Sequence, residues 1–221
     1  MLRGLLATLA FWVVEAAVLF GAAGRWDLPM FWTYLALILL PSLVVVPLFH
    51  RRHPGFIAER LRPGPGERDP VTMAVLRVCM PVTWVVAGLD VGRLHLSHGY
   101  PPALQVAGLA VCAAGFWIVA RAMWVNPFFS SAVRLQPDRH QSVVRRGPYA
   151  AVRHPGYSGG VLFTFGTGLV FGSWWALLPA VPMVVALVRR VRIEDAMLRS
   201  GLPGYEAYAR AVRFRLFPGI W

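Results

Sequence analysis

Hydrophobic residues are gathered into long blocks along this chain rather than alternating with polar ones. Four runs, at 5–23, 30–49, 71–89 and 104–124, are each close to the roughly 20 apolar residues that a helix needs to cross about 30 Å of hydrocarbon. A fifth block, 160–188, is too long for one upright helix and is broken by Gly172, Ser173, Pro179 and Pro182. It predicts a helical hairpin turning near Gly172 and Ser173. The segment 126–146 is too polar to lie in lipid, although Phe128 and Phe129 suit the interface. After the hairpin, helical spacing with a break at 201–204 predicts amphipathic helices lying on the membrane surface. The pattern as a whole predicts an all-α polytopic membrane protein, with four transmembrane helices, a C-terminal membrane helical hairpin and cytoplasmic amphipathic helices. Residues 1–125 form the N-terminal transmembrane part, and residues 126–221 concentrate the polar, ionisable and turn-forming positions.

Composition agrees, since 57% hydrophobic residues and a mean hydropathy of +0.56 exceed what 221 residues could hide in one soluble core. The first run resembles a secretory signal only in following Arg3; it is long, contains Glu15 and is soon followed by a second span, so it is read as a helix. Cys79 and Cys112 both fall inside predicted spans without metal-ligand spacing, which marks them as packing residues and leaves no metal site to expect.

The net charge of +12 comes from arginine alone, and its placement is uneven. Arg51, Arg52, Arg60, Arg62 and Arg68 follow the second span; Arg134, Arg139, Arg145, Arg146 and Arg153 follow the fourth; Arg189, Arg190, Arg192, Arg199, Arg210, Arg213 and Arg215 follow the hairpin. The opposite loops hold little more than Arg25 and Arg93. Positive-inside bias then places both termini in the cytoplasm and the basic face against anionic headgroups, as in a bacterial inner membrane. The same bias accounts for the charge without nucleic acid, for which no recognition module is present. Glu15 either faces a substrate path, pairs with Arg77 or Arg121, or is a packed residue. Oligomeric state has no signature in the sequence.

The stretch GPYAAVRHPGYSGG, 147–160, stands at the lip of the hairpin. Pro148 and Pro155 fix their own dihedrals and bias Gly147 and His154 away from helix, giving a rigid irregular start to the hairpin. Such backbone at membrane depth lines a cavity or is buried in protein, so Arg153 and His154 are functional candidates. Glu194 and Asp195 come just after the hairpin returns, so its geometry can bring them beside Arg153 and His154. A pocket with paired acids and bases suits a zwitterionic ligand: a guanidinium grips a carboxylate, and a carboxylate accepts an ammonium or a ribose diol. Tyr149 and Tyr157 add aromatic faces. Taken singly, each charge also fits an interfacial arginine with a surface partner; the joint occurrence favours a site.

RHPGY, then ED after an apolar hairpin, then GLPGYEAYARAVRFRLFPGIW, resembles the isoprenylcysteine carboxyl methyltransferases and the related phospholipid N-methyltransferases across 126–221. The tail pattern falls on Gly204, Tyr205, Tyr208, Val212 and Pro218, and an upstream one on Gln141, Val143, Val144, Gly147 and Tyr149. The resemblance implies S-adenosylmethionine in a cytoplasm-facing pocket and a lipophilic acceptor arriving from the bilayer. Gln141, Val143, Val144 and Tyr149 would border the adenosine, with Gly147 in the same segment. His154, Pro155, Tyr157, Glu194 and Asp195 would complete the pocket, and Arg153 would grip a carboxylate of cofactor or substrate. Asp195 stands where the family carries a second glutamate.

With an activated sulfonium methyl the protein has chiefly to align and desolvate, so Arg153 and Glu194 are the expected catalytic residues. A carboxylate acceptor needs no base; an amine or thiol needs one, and Glu194 or His154 is nearest. The acceptor stays open among prenylated cysteine, lipid amine, thiol and hydroxyl. Two other readings are a membrane reductase using NADPH, like the sterol reductases, and a non-catalytic lipid-binding protein.

Overall fold

A computed structural model describes residues 2–53 and 69–221. The described part is helical and without strands, and four of its helices are long and apolar enough to cross a membrane. These are α1 (Leu2–Ala23), α2 (Pro29–Arg52), α3 (Pro70–Leu89) and α4 (Pro102–Val125). The hairpin follows as α5 (Pro155–Val170) and α6 (Ala180–Gly201), and α7 (Tyr205–Ala211) is a short last helix. Proline opens α2, α3, α4 and α5, where its missing N–H costs nothing and its fixed φ suits the first turn. Asp69 caps α3 by accepting from the Thr72 amide at 3.1 Å.

Two boundaries differ from the sequence reading. The hairpin turn is not two residues but the whole stretch 171–179: Gly172 takes φ +73°, and a 3-10 turn at Trp175–Leu177 follows. The second arm does not stop at Val188, and α6 runs unbroken to Gly201, so Arg190 and Glu194 belong to the hairpin's own arm rather than to a separate surface helix. The break at 201–204 is where it was expected, with Gly204 at φ +80° before α7.

The core joins Leu19 and Phe20 of α1, Phe31, Tyr34 and Leu35 of α2, Trp84 of α3, Cys112 of α4 and Phe171 beyond α5. α4 packs closely on α5: a Cβ on Gly115 would lie 2.6 Å from the Gly159 carbonyl oxygen, and one on Gly159 would lie as close to that of Gly115. Backbones that near need small residues, the usual device where helices meet in lipid. Val13, Val44, Val78, Val106 and Trp117 point outward and are exposed, as lipid-facing side chains are. Glu15 is fully buried; neither carboxylate oxygen has a hydrogen-bond partner, and it forms no salt bridge with Arg77 or Arg121.

The two ends of the bundle differ. At one, Asp90 in the π-helical turn Asp90–Leu94 accepts from the Ser97 and Leu96 amides and from the Ser97 and Ser173 hydroxyls, tying the end of α3 to the hairpin turn. Arg93 lies there too, donating to the Ala22 carbonyl. At the other end His53 reaches the Trp124 carbonyl at 3.2 Å, and Thr72 donates to the Ala186 carbonyl. That end also holds Arg134, Arg153, Arg189 and Arg190, so the arginines segregate as expected; Arg60, Arg62 and Arg68 lie outside the described residues.

Candidate functional site

The arginine-rich end encloses a cavity of about 330 Å³. Its membrane-side wall is apolar, made by Met73 and Leu76 of α3, Val119 of α4 and Leu187 of α6. Its other walls come from the 126–146 segment, the start of α5, the second half of α6, and α7.

Hydrogen bonds fix the 126–146 segment even though it lacks long helices. Asn126, just past α4, accepts from the Phe128 amide and donates through Nδ2 to the Tyr149 hydroxyl at 2.9 Å, so it both caps the helix and lines the cavity. Gln136, 2% exposed, donates from its amide to Gln141 Oε1 and from Nε2 to the Phe128 carbonyl. Arg139 donates to Gln136 Oε1 and to the Pro127 carbonyl. Val143 then packs against Leu198 and Tyr205, and Val144 against Tyr149. Gln141, Val143, Val144 and Tyr149 all line the cavity.

The RHPGY turn is docked from both sides. The Arg153 and His154 amides donate to the Phe214 and Arg215 carbonyls, and Ser158 Oγ donates to the Leu216 carbonyl at 2.6 Å. Arg153, His154, Tyr157, Glu194 and the cavity meet here, so the acidic pair folds back onto the basic pair.

The roles divide differently from the sequence reading. Arg153 is 4% exposed, and its guanidinium is already engaged: Nε and Nη2 bind Asp195 at 2.8 and 3.2 Å, and Nη1 binds the Val212 and Arg213 carbonyls. It has little left with which to grip a ligand carboxylate. Gly147, Pro155 and Asp195 are not among the lining residues. Gly147 takes φ +61° and faces Val125, Pro155 is the first residue of α5, and Asp195 points back into the protein. Each shapes the site from behind.

The group left to meet a ligand is Arg190, which the sequence reading had counted among the interfacial arginines. It is 4% exposed and lines the cavity. Nε donates to the Tyr157 hydroxyl at 2.9 Å, Nη2 donates to the Ser131 carbonyl at 2.6 Å, and Nη1 has no partner. Tyr157 in turn donates to Glu194 Oε2 at 2.6 Å, and Glu194 Oε1 lies 4.0 Å from His154 Nδ1. Helical spacing was the available signal: Leu187, Arg190, Glu194 and Met197 share one face of α6, whereas Arg189 and Arg192 do not. Tyr205 and Tyr208, matched only as parts of the tail pattern, also line the cavity; Tyr208 donates to the Tyr149 carbonyl.

Asp195 lies beyond the apolar stretch of α6. Burial pushes its carboxyl up, but hydrogen bonds from His154, Arg153 and Arg199 outweigh this and hold it well below the ordinary carboxylate range. It is an anion under all ordinary conditions. Among the described residues no group of three or more histidine, cysteine or acidic side chains could hold a metal ion.

Chemically, the site offers an unsatisfied guanidinium N–H and a half-open carboxylate one helical turn apart, facing a cavity with an apolar wall toward the bilayer. It can bind a zwitterion and admit a hydrocarbon chain. A comparison of the chain with curated proteins gave no match. The family model for phospholipid methyltransferase matches residues 104–202, which run from α4 through the 126–146 segment and the hairpin and so carry most of the cavity. Over this segment the chain is similar to the phospholipid methyltransferase family of membrane methyltransferases.

Proposed function

We propose that this membrane methyltransferase takes its methyl group from S-adenosylmethionine bound in the cavity and delivers it to a lipid whose chain lies along the apolar wall. The observation that carries the reading is the buried, unpartnered Nη1 of Arg190 beside the Tyr157–Glu194 pair. A buried guanidinium N–H without an acceptor costs free energy, about 1–3 kcal/mol or more, unless a ligand completes it. The residues present fit the cofactor: Arg190 Nη1 for its carboxylate, Glu194 Oε1 for its ammonium or ribose hydroxyls, and Val143, Val144 and Tyr149 for its adenine.

S-adenosylmethionine supplies an activated sulfonium methyl, so the chain's work is alignment and exclusion of water. Arg190 and Glu194 fix the polar end of the ligand, with Tyr157 locking the two side chains in register. Met73, Leu76, Val119 and Leu187 exclude water from the bilayer side and hold the acceptor's hydrocarbon. For an amine or thiol acceptor, Glu194 Oε1 or His154 Nδ1 takes the released proton. Arg153 lines the cavity with its guanidinium already engaged by Asp195 and the tail, and Arg190 takes the ligand-gripping role. The basic face lies toward the cytoplasm, so the cofactor enters from there.

The test is thermal stability of the detergent-purified protein with S-adenosylmethionine, followed by transfer of labelled methyl to a total lipid extract. Stabilisation by the cofactor, labelled lipid, and loss of both in Glu194→Gln are expected. Protection by NADPH alone would replace this reading with a reductase, and protection by neither would leave a lipid-binding protein.

A further inference from the structure

We propose that Asp195 is a positioning residue: through His154 it sets which imidazole nitrogen faces the cavity, and through three guanidiniums it clamps the C-terminal tail over the RHPGY turn. The proposal rests on the methyltransferase reading of the same cavity. Glu194 and Asp195 are neighbours, yet successive helix positions point in different directions, and only Glu194 lines the cavity. Asp195 is 1% exposed and receives three hydrogen bonds on each oxygen. Oδ1 is within 2.8 Å of Arg153 Nε, 3.0 Å of the Tyr205 hydroxyl and 3.2 Å of His154 Nε2. Oδ2 is within 3.2 Å of Arg153 Nη2, 3.1 Å of Arg199 Nε and 3.1 Å of Arg215 Nε.

An ionised carboxylate only accepts, so the hydrogen bond to Oδ1 requires the proton of His154 on Nε2. Nδ1 is thereby the nitrogen turned toward Glu194 Oε1, 4.0 Å away. The imidazole is held between two adjacent acids with distinct tasks, one fixing the ring and the other sharing the cavity with it. The tail is recruited by the same carboxylate. Arg215 binds it directly, and Arg153 links it to the Val212 and Arg213 carbonyls, while the Phe214 and Arg215 carbonyls accept from the turn's own amides. The tail lies beyond the matched segment 104–202, so the site of the family segment is completed by residues outside it.

The decisive experiment is a double-mutant cycle on S-adenosylmethionine affinity, measured calorimetrically in detergent with Asp195→Asn, His154→Ala and the pair. Loss of an outer-shell orienting group typically costs about 10–100-fold, so Asp195→Asn is expected to weaken binding by about that factor. In the His154→Ala background the same change is expected to cost several-fold less, the remainder being its hold on the tail through Arg153, Arg199 and Arg215. Equal costs in both backgrounds would overturn the proposal. Tyr205→Phe, which removes one hydroxyl from Oδ1 while keeping the ring, gives the same test if Asp195→Asn does not fold. A second readout needs no cofactor: the nitrogen spectrum of His154 should report a proton on Nε2 in the wild type and mixed tautomers in Asp195→Asn. A wild type that ignores S-adenosylmethionine would end the methyltransferase reading, while an unchanged tautomer in Asp195→Asn would end this one.

Discussion

Among the described residues the carboxylates of Glu15 and Asp195 are the most deeply buried, at 0% and 1% exposure, and their surroundings are opposite. Glu15, in the α1 side of the bundle, has no hydrogen-bond partner on either oxygen; Asp195, at the arginine-rich end, has three on each. Glu15 has the Tyr34 side chain of the apolar core as its neighbour, whereas several segments converge on Asp195. Burial of an acid therefore does not by itself mark a site. What marks this one is that the RHPGY turn, α6, α7 and the tail each spend a polar group on the same anion.

The largest effect expected separates the two. Asp195→Leu leaves the buried Arg153 guanidinium without its counter-charge, and losing one partner of a buried pair costs about 3–5 kcal/mol. Glu15→Met, similar in volume and with no salt bridge to break, should be neutral or stabilising. Thermal unfolding in detergent checks both. A stable Asp195→Leu beside a collapsed Glu15→Met would reverse the comparison.

Next in size come the groups that face the cavity. Arg190→Gln and Glu194→Gln should each lower methyl transfer about 100-fold or more, the usual cost of removing one preorganised polar group from a reaction site, while changing the unfolding temperature little. Arg190→Lys should not restore it, because the three N–H groups of an ammonium radiate from one nitrogen and cannot span the separate positions from which Nε, Nη2 and Nη1 reach the Tyr157 hydroxyl, the Ser131 carbonyl and the cavity. Steady-state rates on the lipid extract measure all three. Gly156→Ala is a milder probe of the same wall: its Cβ would lie 2.5 Å from the Phe129 ring, which must shift. A loss of about 1–3 kcal/mol in stability is expected from such overpacking, read as a lower unfolding temperature.

Much of this was legible in the sequence, because the bilayer enforces a simple code. Blocks of apolar residues near span length gave α1 to α4, and Gly172 gave the place of the hairpin turn. The meeting of Arg153 and His154 with the acidic pair was legible too, since a hairpin must return its ends to the same level. What the sequence could not assign was which partner each charge takes. Arg153 and Arg190 look alike as letters, yet a tail carbonyl and Asp195 engage the first while the second keeps a free Nη1. That division depends on the tail crossing the RHPGY turn, a long-range pairing without periodicity. The length of α6 was missed for a related reason: arginines at 189, 190 and 192 end the apolar run but not the helix.

The smallest effect expected is a flat line. Asp195 is held below the ordinary carboxylate range, so its stabilising contribution is complete above the unfolded value of about 3.9 and is lost only as pH falls through the lower folded value. The groups facing it are Arg153, Arg199, Arg215, Tyr205 and His154. The arginines stay charged, and burial pushes the Tyr205 phenol up, away from the range of interest. His154 is the one neighbour that could add a slope near neutrality, so the comparison belongs in the His154→Ala background. There the difference in unfolding temperature between Asp195 and Asp195→Asn should be constant from pH 5 to 9 and shrink below about pH 4. A difference that already narrows between pH 7 and 5 would mean that this carboxylate takes up its proton in the folded protein at a higher pH than an unfolded one, which the five donated hydrogen bonds left in that background do not allow.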